Sequence, residues 1–454
     1  MKSIFQLNLK GVFKKQLILS VFLCIAVNFM SSQSYIGHSI DNYSGVHGII
    51  YNPSSVVGSK VRADINLVSA SFFGGSDYFG INVGDIINGD GEFDFDEDAE
   101  RFTSNKNNFF VNVDVLGPSF MFNLSPRSSI GITSRLRAFV NINNINGELF
   151  ESFEDGFDTD KDFEFNSENL SANIHAWGEV GLTYGRILID RPHHVLKGGF
   201  TLKYLQGAGS IFVSSRGLQG QYDSTAETIS TTGDLSYGTS RDLDDNNDDI
   251  DFTDLTAGFG ADIGFTYEWH PDRENNGEPS YKDRYRLKVA ASVTDIGSIN
   301  YEDAIVNNYS LDVNNVDVSN IEDVEEFLDE NYSSTETREA TKIQLPTALH
   351  AMVDYRLAKK WYLSAQADFS LTDDSSELGS RIINTIVIAP RLETKWFSLY
   401  APLSFREYGD TSFGAGLRFG PLTVGSGSAI TNLISDSSKT TDVFFGLKIP
   451  LYRK

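Results

Sequence analysis

From Leu255 to Trp269 every second residue is apolar (Leu255, Ala257, Phe259, Ala261, Ile263, Phe265, Tyr267, Trp269), and Thr256, Gly258, Gly260, Asp262, Gly264, Thr266 and Glu268 fall between them. A period of two places these sets on opposite faces of a β-strand. The alternation recurs over 130–142, 172–184 and 442–451. Strands of a soluble sandwich run about 5–6 residues, whereas a tilted strand crossing a bilayer needs about 9–11. The runs here reach ten to fifteen residues, so the greasy face is assigned to lipid. The opposite faces mix glycine with charges of both signs, among them Arg135, Arg137, Lys203, Arg286, Lys288, Arg356 and Arg418 with Glu179, Asp262 and Asp354. A crowded, ion-paired lumen has that composition.

Strands can cross a bilayer only when every backbone group is paired, which requires a closed barrel. Long and short connections alternate along the chain. The short ones include 125–127, 190–194 and 358–360, and the long ones include 143–170, 214–252 and 298–344. This parity predicts an all-β, antiparallel, up-and-down transmembrane β-barrel of about fourteen strands, from 61–84 to 440–451, over residues 61–454. The segment 61–84 is read as one strand kinked at Gly74-Gly75; a hairpin there would raise the count by one. Trp177, Trp269, Trp361 and Trp396 are assigned to girdles at the lipid headgroups.

Residues 1–32 have the features of a signal peptide: Lys2, Lys10, Lys14 and Lys15, then an uncharged run from Leu17 to Phe29. The chain's one cysteine, Cys24, lies in that run, so a mature chain has no disulfide, thiolate metal site or cysteine nucleophile. The formal charge of −25 argues against nucleic acid, whose phosphates require basic patches. Segments 85–107, 143–170, 214–252 and 298–344 hold 38 of the 62 acidic residues and 7 of the 37 basic ones. They are expected to be long solvated loops on the extracellular side.

The sequence contains no phosphate loop, zinc motif or Gly-x-Ser-x-Gly element, and none of its seven histidines is followed two residues later by serine. No catalytic residue, metal site or cofactor is assigned, and the chain is not expected to be an enzyme. Asp158, Asp160, Asp162 and Glu164, and the cluster Asp244, Asp245, Asp248, Asp249 and Asp251, have the spacing of weak Ca²⁺-binding acidic loops. The first run lacks the turn glycine of an EF-hand. Residues 319–332 predict an amphipathic helix with Ser319 and Glu322 as a capping box, folded as a lid over the barrel mouth.

Ahead of the first strand stands "GVHGIIYNPSSVVG" at 45–58, in which Asn52 can cap a short helix that Pro53 begins and Gly58 ends. A leader, a short segment ending in Tyr51-Asn52-Pro53-Ser54 and a fourteen-strand pattern together resemble the long-chain fatty-acid transporter superfamily. Members carry a Y/F-N-P-A element there; Ser54 replaces the alanine. The final strand, "DVFFGLKIPLY" at 442–452, resembles that of an uncharacterised Bacteroidota outer-membrane set within the superfamily. The shuttle proteins of the type IX secretion system form another branch. The resemblance implies that residues 33–60 fold into the barrel as a hatch, with Tyr51, Asn52, Pro53 and Ser54 at its core. The resemblance leaves the substrate open. The leader and the long alternating strands point to a Gram-negative outer membrane, with lipid as a partner, and the leading expectation is passive uptake of a small, partly hydrophobic molecule. By strand parity Arg135, Arg137, His175, Glu179, Asp262, Arg286 and Lys288 face inward, where they would line the route, pin the hatch or form structural ion pairs. The competing expectation is a non-transporting anchor or accessory subunit, with secretion or surface-assembly proteins as partners.

Overall fold

The computed structural model describes residues 35–84, 99–157, 161–240, 255–273, 285–319, 321, 323–372, 378–409 and 411–452. Fourteen wall positions follow in chain order: β1 (Val61–Ser76), β2 (Asn107–Leu116 and Ser119–Ser125), β3 (Ser128–Ile145), β4 (Phe163–Asp190), β5 (His194–Asp223), β6 (Asp234–Thr239 and Thr256–Trp269) and β7 (Leu287–Ser310). They continue as β8 (Ser333–Gln344 and Ala348–Arg356), β9 (Trp361–Ser370), β10 (Thr385–Glu393), β11 (Phe397–Tyr400 and Leu403–Arg406), β12 (Thr411–Phe413 and Ala415–Phe419), β13 (Leu422–Ser426) and β14 (Thr440–Tyr452). Each pairs antiparallel with the next, and β14 returns to β1 in a register from Val61↔Tyr452 to Gly75↔Thr440. The sheet is therefore closed. The breaks in β2, β8 and β11 fall at Pro118, Pro346 and Pro402, since proline has no N–H for the ladder. Asn66 seals the first break by donating Nδ2 to the carbonyls of Leu116 (3.0 Å) and Gly117 (2.9 Å).

The alternating apolar residues face outward. Leu136, Leu202 and Phe259 are 64%, 59% and 73% exposed, while Arg135, Lys203 and Asp262 on the same three strands are buried inside. An antiparallel barrel with an apolar outer belt and a charged interior is built for lipid outside and polar contents within. Among the described residues no helix is long and apolar enough to cross a membrane.

Three expectations are corrected. First, β1 ends at Ser76; Phe79–Ile81 then pairs with Ala99–Arg101 as a separate ribbon, so the segment to residue 84 is neither one strand nor a wall hairpin. Second, the acidic segments are not simply solvated loops. β4, β5, β7 and β8 continue through 163–170, 214–223, 298–310 and 333–344. Helix α1 is Val46–Tyr51, before the barrel; helices α2 (Gly147–Asp155) and α3 (Val324–Asn331) lie in these segments. Leu149, Phe165, Tyr222, Ile229, Tyr309 and Val316 pack there as a second apolar core. Strands that extend past the bilayer no longer have one face in lipid, so their sequence loses its greasy period while keeping Thr, Tyr and Val. Third, Trp177 is 2% exposed and lies in the lumen, whereas Trp269, Trp361 and Trp396 face outward near the short turns.

Helix α3 also differs in its start. Asp323 caps it through Glu325 N (2.9 Å) and Glu326 N (3.2 Å), and Ser319 bonds Asp317 instead. Glu322 lies outside the described residues. Ile321, Phe327 and Leu328 pack on the second apolar core.

Candidate functional site

The lumen contents are stacked in three tiers that can be followed along the inner faces of β3 and β4. Gly131 and Gly185 face the segment 35–60, Arg135, Arg137 and Glu179 face one another, and Phe139, Trp177 and His175 face a loop that enters from the opposite end.

The first tier is the segment before β1. Asn52 ends α1 and caps a 3-10 turn, Pro53–Val56, by accepting from Ser54 N at 2.9 Å. Its Nδ2 donates to Phe265 O (3.2 Å), and the Ser54 hydroxyl meets Thr266 Oγ1 (2.7 Å). Tyr51 donates to Asp368 (2.7 Å) and lies 4.5 Å from the His350 ring. The turn fits because the wall beneath it has no side chains. A Cβ on Gly199 would stand 2.6 Å from the Pro53 carbonyl, one on Gly131 2.8 Å from Ile49, and ones on Gly185 and Gly264 would collide with Val56 and Asn52. Val46, Ile49, Val56 and Val57 pack in turn on Leu116, Met121, Ile187 and Val195.

Charged groups hold the same segment from the other side. Asp41 accepts from Arg418 Nε (3.1 Å) and from the Tyr400 hydroxyl (2.6 Å). Burial opposes its ionisation, yet Arg418 and Arg391 hold the carboxyl well below the usual range. Lys448 donates to the carbonyls of Tyr43 (2.7 Å) and Ser44 (2.6 Å), and Lys288 to that of Ile40 (3.2 Å). Asp64 accepts from Val46 N (2.9 Å), and Gly45, at φ +62°, allows that approach. His38 and His47 are buried side by side with ring centres 5.0 Å apart. Burial, and then the Lys448 charge, push His47 down to about 3; burial and His47 push His38 well below its ordinary value.

The second tier is an ion network. Arg135 bridges Asp114 and Glu179 (2.9 Å), Arg137 meets Asp295 (2.9 Å), and Lys203 meets Asp262 (2.8 Å) and Asp295 (2.5 Å). Arg137 also lies 5.0 Å over the Trp177 ring and 5.1 Å over Phe139. These groups largely neutralise one another, so the tier is a cross-brace of paired charges.

The third tier was not foreseen. After β9 the chain dips inward, and Ser380, Arg381, Ile382 and Ile383 are buried. The Asn141 amide clips the Arg381 backbone, accepting from its N–H (3.0 Å) and donating to its carbonyl (3.1 Å). Ser380 is held by Asn173 (3.3 Å) and stands 3.4 Å from His175, whose Nε2 meets the Tyr301 hydroxyl at 3.1 Å. Arg381 pairs with Glu407 (2.9 Å) and bonds Tyr408. Ile382 and Ile383 pack in a cup of Phe73, Phe110, Phe139, Trp177 and Tyr301.

Of the seven lumen residues read from the sequence, Arg135, Arg137, His175, Glu179 and Asp262 meet in the second and third tiers. Lys288 stands beside the segment 35–60, and Arg286 is elsewhere. Its Nε bonds the outward Tyr355 hydroxyl at 3.0 Å, because it precedes β7 in a bend where alternation does not apply. Asp41, Asp64, Asp114, Asp295, Arg391 and Lys448 were missed as participants; strand parity alone marks the face of a residue and not its partner. Two cavities of about 60 and 30 Å³ lie between the segment and β5–β9. Among the described residues no group of three or more potential ligands could hold a metal. Asp162 accepts from the Ser224 N–H (2.9 Å) and hydroxyl (2.8 Å), whereas Asp158, Asp160 and the cluster from Asp244 to Asp251 lie outside those residues.

Among solved structures the chain is similar to the toluene transporter TbuX of Ralstonia pickettii, at 10% identity over 90% of this chain and 95% of that one, with a TM-score of 0.41. It is also similar to a FadL homologue of Pseudomonas aeruginosa (9% identity, 93% and 98% covered, TM-score 0.43) and to the translocator domain of the autotransporter NalP from Neisseria meningitidis (8%, 88% and 91%, 0.29). No curated protein matches it. One family model covers residues 53–427, and on that match the chain belongs to DUF5723, a family of unknown function.

Proposed function

We propose that this protein is a gated passive channel of a Gram-negative outer membrane for small, partly hydrophobic molecules, with residues 35–60 as its hatch. The observation that carries the reading is how that segment is held. It occupies one tier of the lumen through side-chain hydrogen bonds, ion pairs and apolar contacts to at least six different wall strands, and it forms no strand of the wall. Each ordinary hydrogen bond contributes about 0.5–1.5 kcal/mol net, whereas removing a wall strand would expose a whole unpaired ladder to lipid. The segment can therefore leave while the wall stays. The aromatic cup under Ile382 and Ile383 suits an apolar passenger, and the resemblance to the fatty-acid transporter superfamily points the same way.

The self-neutralised second tier favours one alternative, a non-transporting barrel that anchors or assists a secretion or surface-assembly system. Liposome flux separates the two. Uptake of a small hydrophobic fluorescent probe is measured for the full chain, for a form lacking 35–58, and for that form with 378–383 replaced by Gly and Ser. Flux in any of them supports the channel. Silence in all three, with a stable complex on purification, supports the accessory role and ends the channel reading.

A further inference from the structure

The two ends of the barrel carry opposite charge. The long-segment end holds the acidic stretches described above, while the short-turn end presents exposed cations in two arcs. In the first, Arg62 lies on β1, Arg127 in the β2–β3 turn and Arg186 on β4. Asn123 Nδ2 donates to the Arg62 carbonyl, the Ile187 N–H to the Arg127 carbonyl (2.9 Å), and Arg186 stands opposite Ser128 in the β3–β4 register. In the second, Lys359 and Lys360 share the β8–β9 turn, and the Glu393 N–H donates to the Lys360 carbonyl (2.8 Å), which leads to Lys395 in the next turn.

Among the described residues none of these six cations is paired with a carboxylate, although other basic residues at this end are: Arg273 with Asp190 (2.8 Å) and Arg356 with Asp272 (3.3 Å). Each arc also borders the apolar belt. Phe122, Leu124 and Leu188 are exposed beside the first, and Leu357, Trp361 and Trp396 beside the second. Exposed tryptophan at the end of an apolar belt marks the headgroup level. Guanidinium and ammonium groups without a carboxylate partner at that level suit phosphate oxygens, and Lys395 also lies 5.2 Å over the Tyr452 ring.

We propose that the two arcs bind anionic glycerophospholipid headgroups, so that the barrel selects negatively charged lipid in the leaflet at its short-turn end. This rests on the reading of the outer belt as lipid-facing and is independent of whether the channel conducts. An anionic surface attracts each nearby Lys or Arg by about 1 kcal/mol, roughly a fivefold preference per contact, and the attraction fades within a Debye length.

The test uses the full chain in nanodiscs of mixed phosphatidylcholine and phosphatidylglycerol, with the lipid that stays bound on detergent extraction quantified by mass spectrometry. The expected result is severalfold enrichment of phosphatidylglycerol over the bulk ratio, lost in 1 M NaCl. The variant carrying Arg127→Gln, Arg186→Gln, Lys359→Gln and Lys360→Gln should return to the bulk ratio, and a control with Glu325→Gln and Glu326→Gln should not. No enrichment in the wild type, or equal enrichment in the four-site variant, overturns the proposal. Displacement of the lipid by millimolar soluble glycerophosphate would show a free-phosphate site and overturn it too. Failure to insert into any bilayer would instead remove the membrane reading beneath it.

Discussion

Asp41 and Arg418 stand 377 residues apart in sequence, yet the aspartate Oδ2 accepts from the arginine Nε at 3.1 Å inside the barrel. Arg418 belongs to β12, whereas Asp41 belongs to the segment that precedes every strand. The pair ties the segment before β1 to the barrel wall. Breaking such a buried pair from one side costs about 3–5 kcal/mol, mostly the penalty of an unpaired buried charge. In Asp41→Asn, residues 35–60 should become cleavable by added protease while the barrel stays resistant. The double variant Asp41→Asn/Arg418→Gln should recover part of the protection. Equal protection in all three forms would remove the pair's role as a latch.

Gly199 makes a steric prediction. A Cβ there would press on the Pro53 carbonyl at 2.6 Å, and that contact is backbone, which cannot rotate away. Gly199→Val should expel the segment while leaving a folded barrel. On a gel the unheated protein would still migrate as the compact form, while a fluorophore attached near Ser54 would report exposure to water. A fluorophore that stays shielded would show that the segment docks without this glycine.

For the inward loop the predicted variant is Ile383→Asp. Ile383 is fully buried against the aromatic cup, and an unpaired carboxylate there is costly enough to eject the loop. In planar bilayers, single-channel conductance should rise most when this change is combined with loss of 35–58. Conductance set by the hatch alone would show that the loop does not obstruct the path.

Docking should also weaken in acid. His47 is depressed to about 3 when docked and returns toward about 6.5 when released. Between those values the released state binds more protons, so docking is unaffected above about pH 6.5 and loses stability as pH falls toward 3. The slope is about 1.4 kcal/mol per pH unit for a single fully titrating histidine. Lys448 adds to the penalty of a new positive charge on His47, whereas the Ser44 carbonyl relieves part of it; neighbouring His38 is pushed down in the same way by burial, His47, Lys448 and Arg418, against Asp41. Protease release of 35–60 should rise below pH 6, and His47→Gln should flatten the profile. A flat wild-type profile would contradict this.

The barrel was legible because strand periodicity is local: Leu136 and Arg135 are adjacent, and their opposite destinations follow from the pleat. The same rule already placed Trp177 in the lumen with His175 and Glu179, and the girdle assignment went wrong by weighing residue type above parity. Arg286 failed for the converse reason, since parity was carried past the point where the strand begins. The strands inside the acidic segments escaped notice because Thr335 or Asn308 meets no lipid to impose a greasy face.

What the sequence by itself determined is the wall: strand number, the alternation of faces within a strand and the acidity of the long segments all follow from spacing along a short stretch of chain. Only the tertiary structure decided the contents of the lumen. Whether Arg418 meets Asp41, which glycines receive Pro53, and that Ile382 and Ile383 turn inward depend on closure, which brings groups hundreds of residues apart within hydrogen-bonding distance. A buried charge must find a partner wherever closure supplies one, and no periodic pattern along the chain records which partner that is.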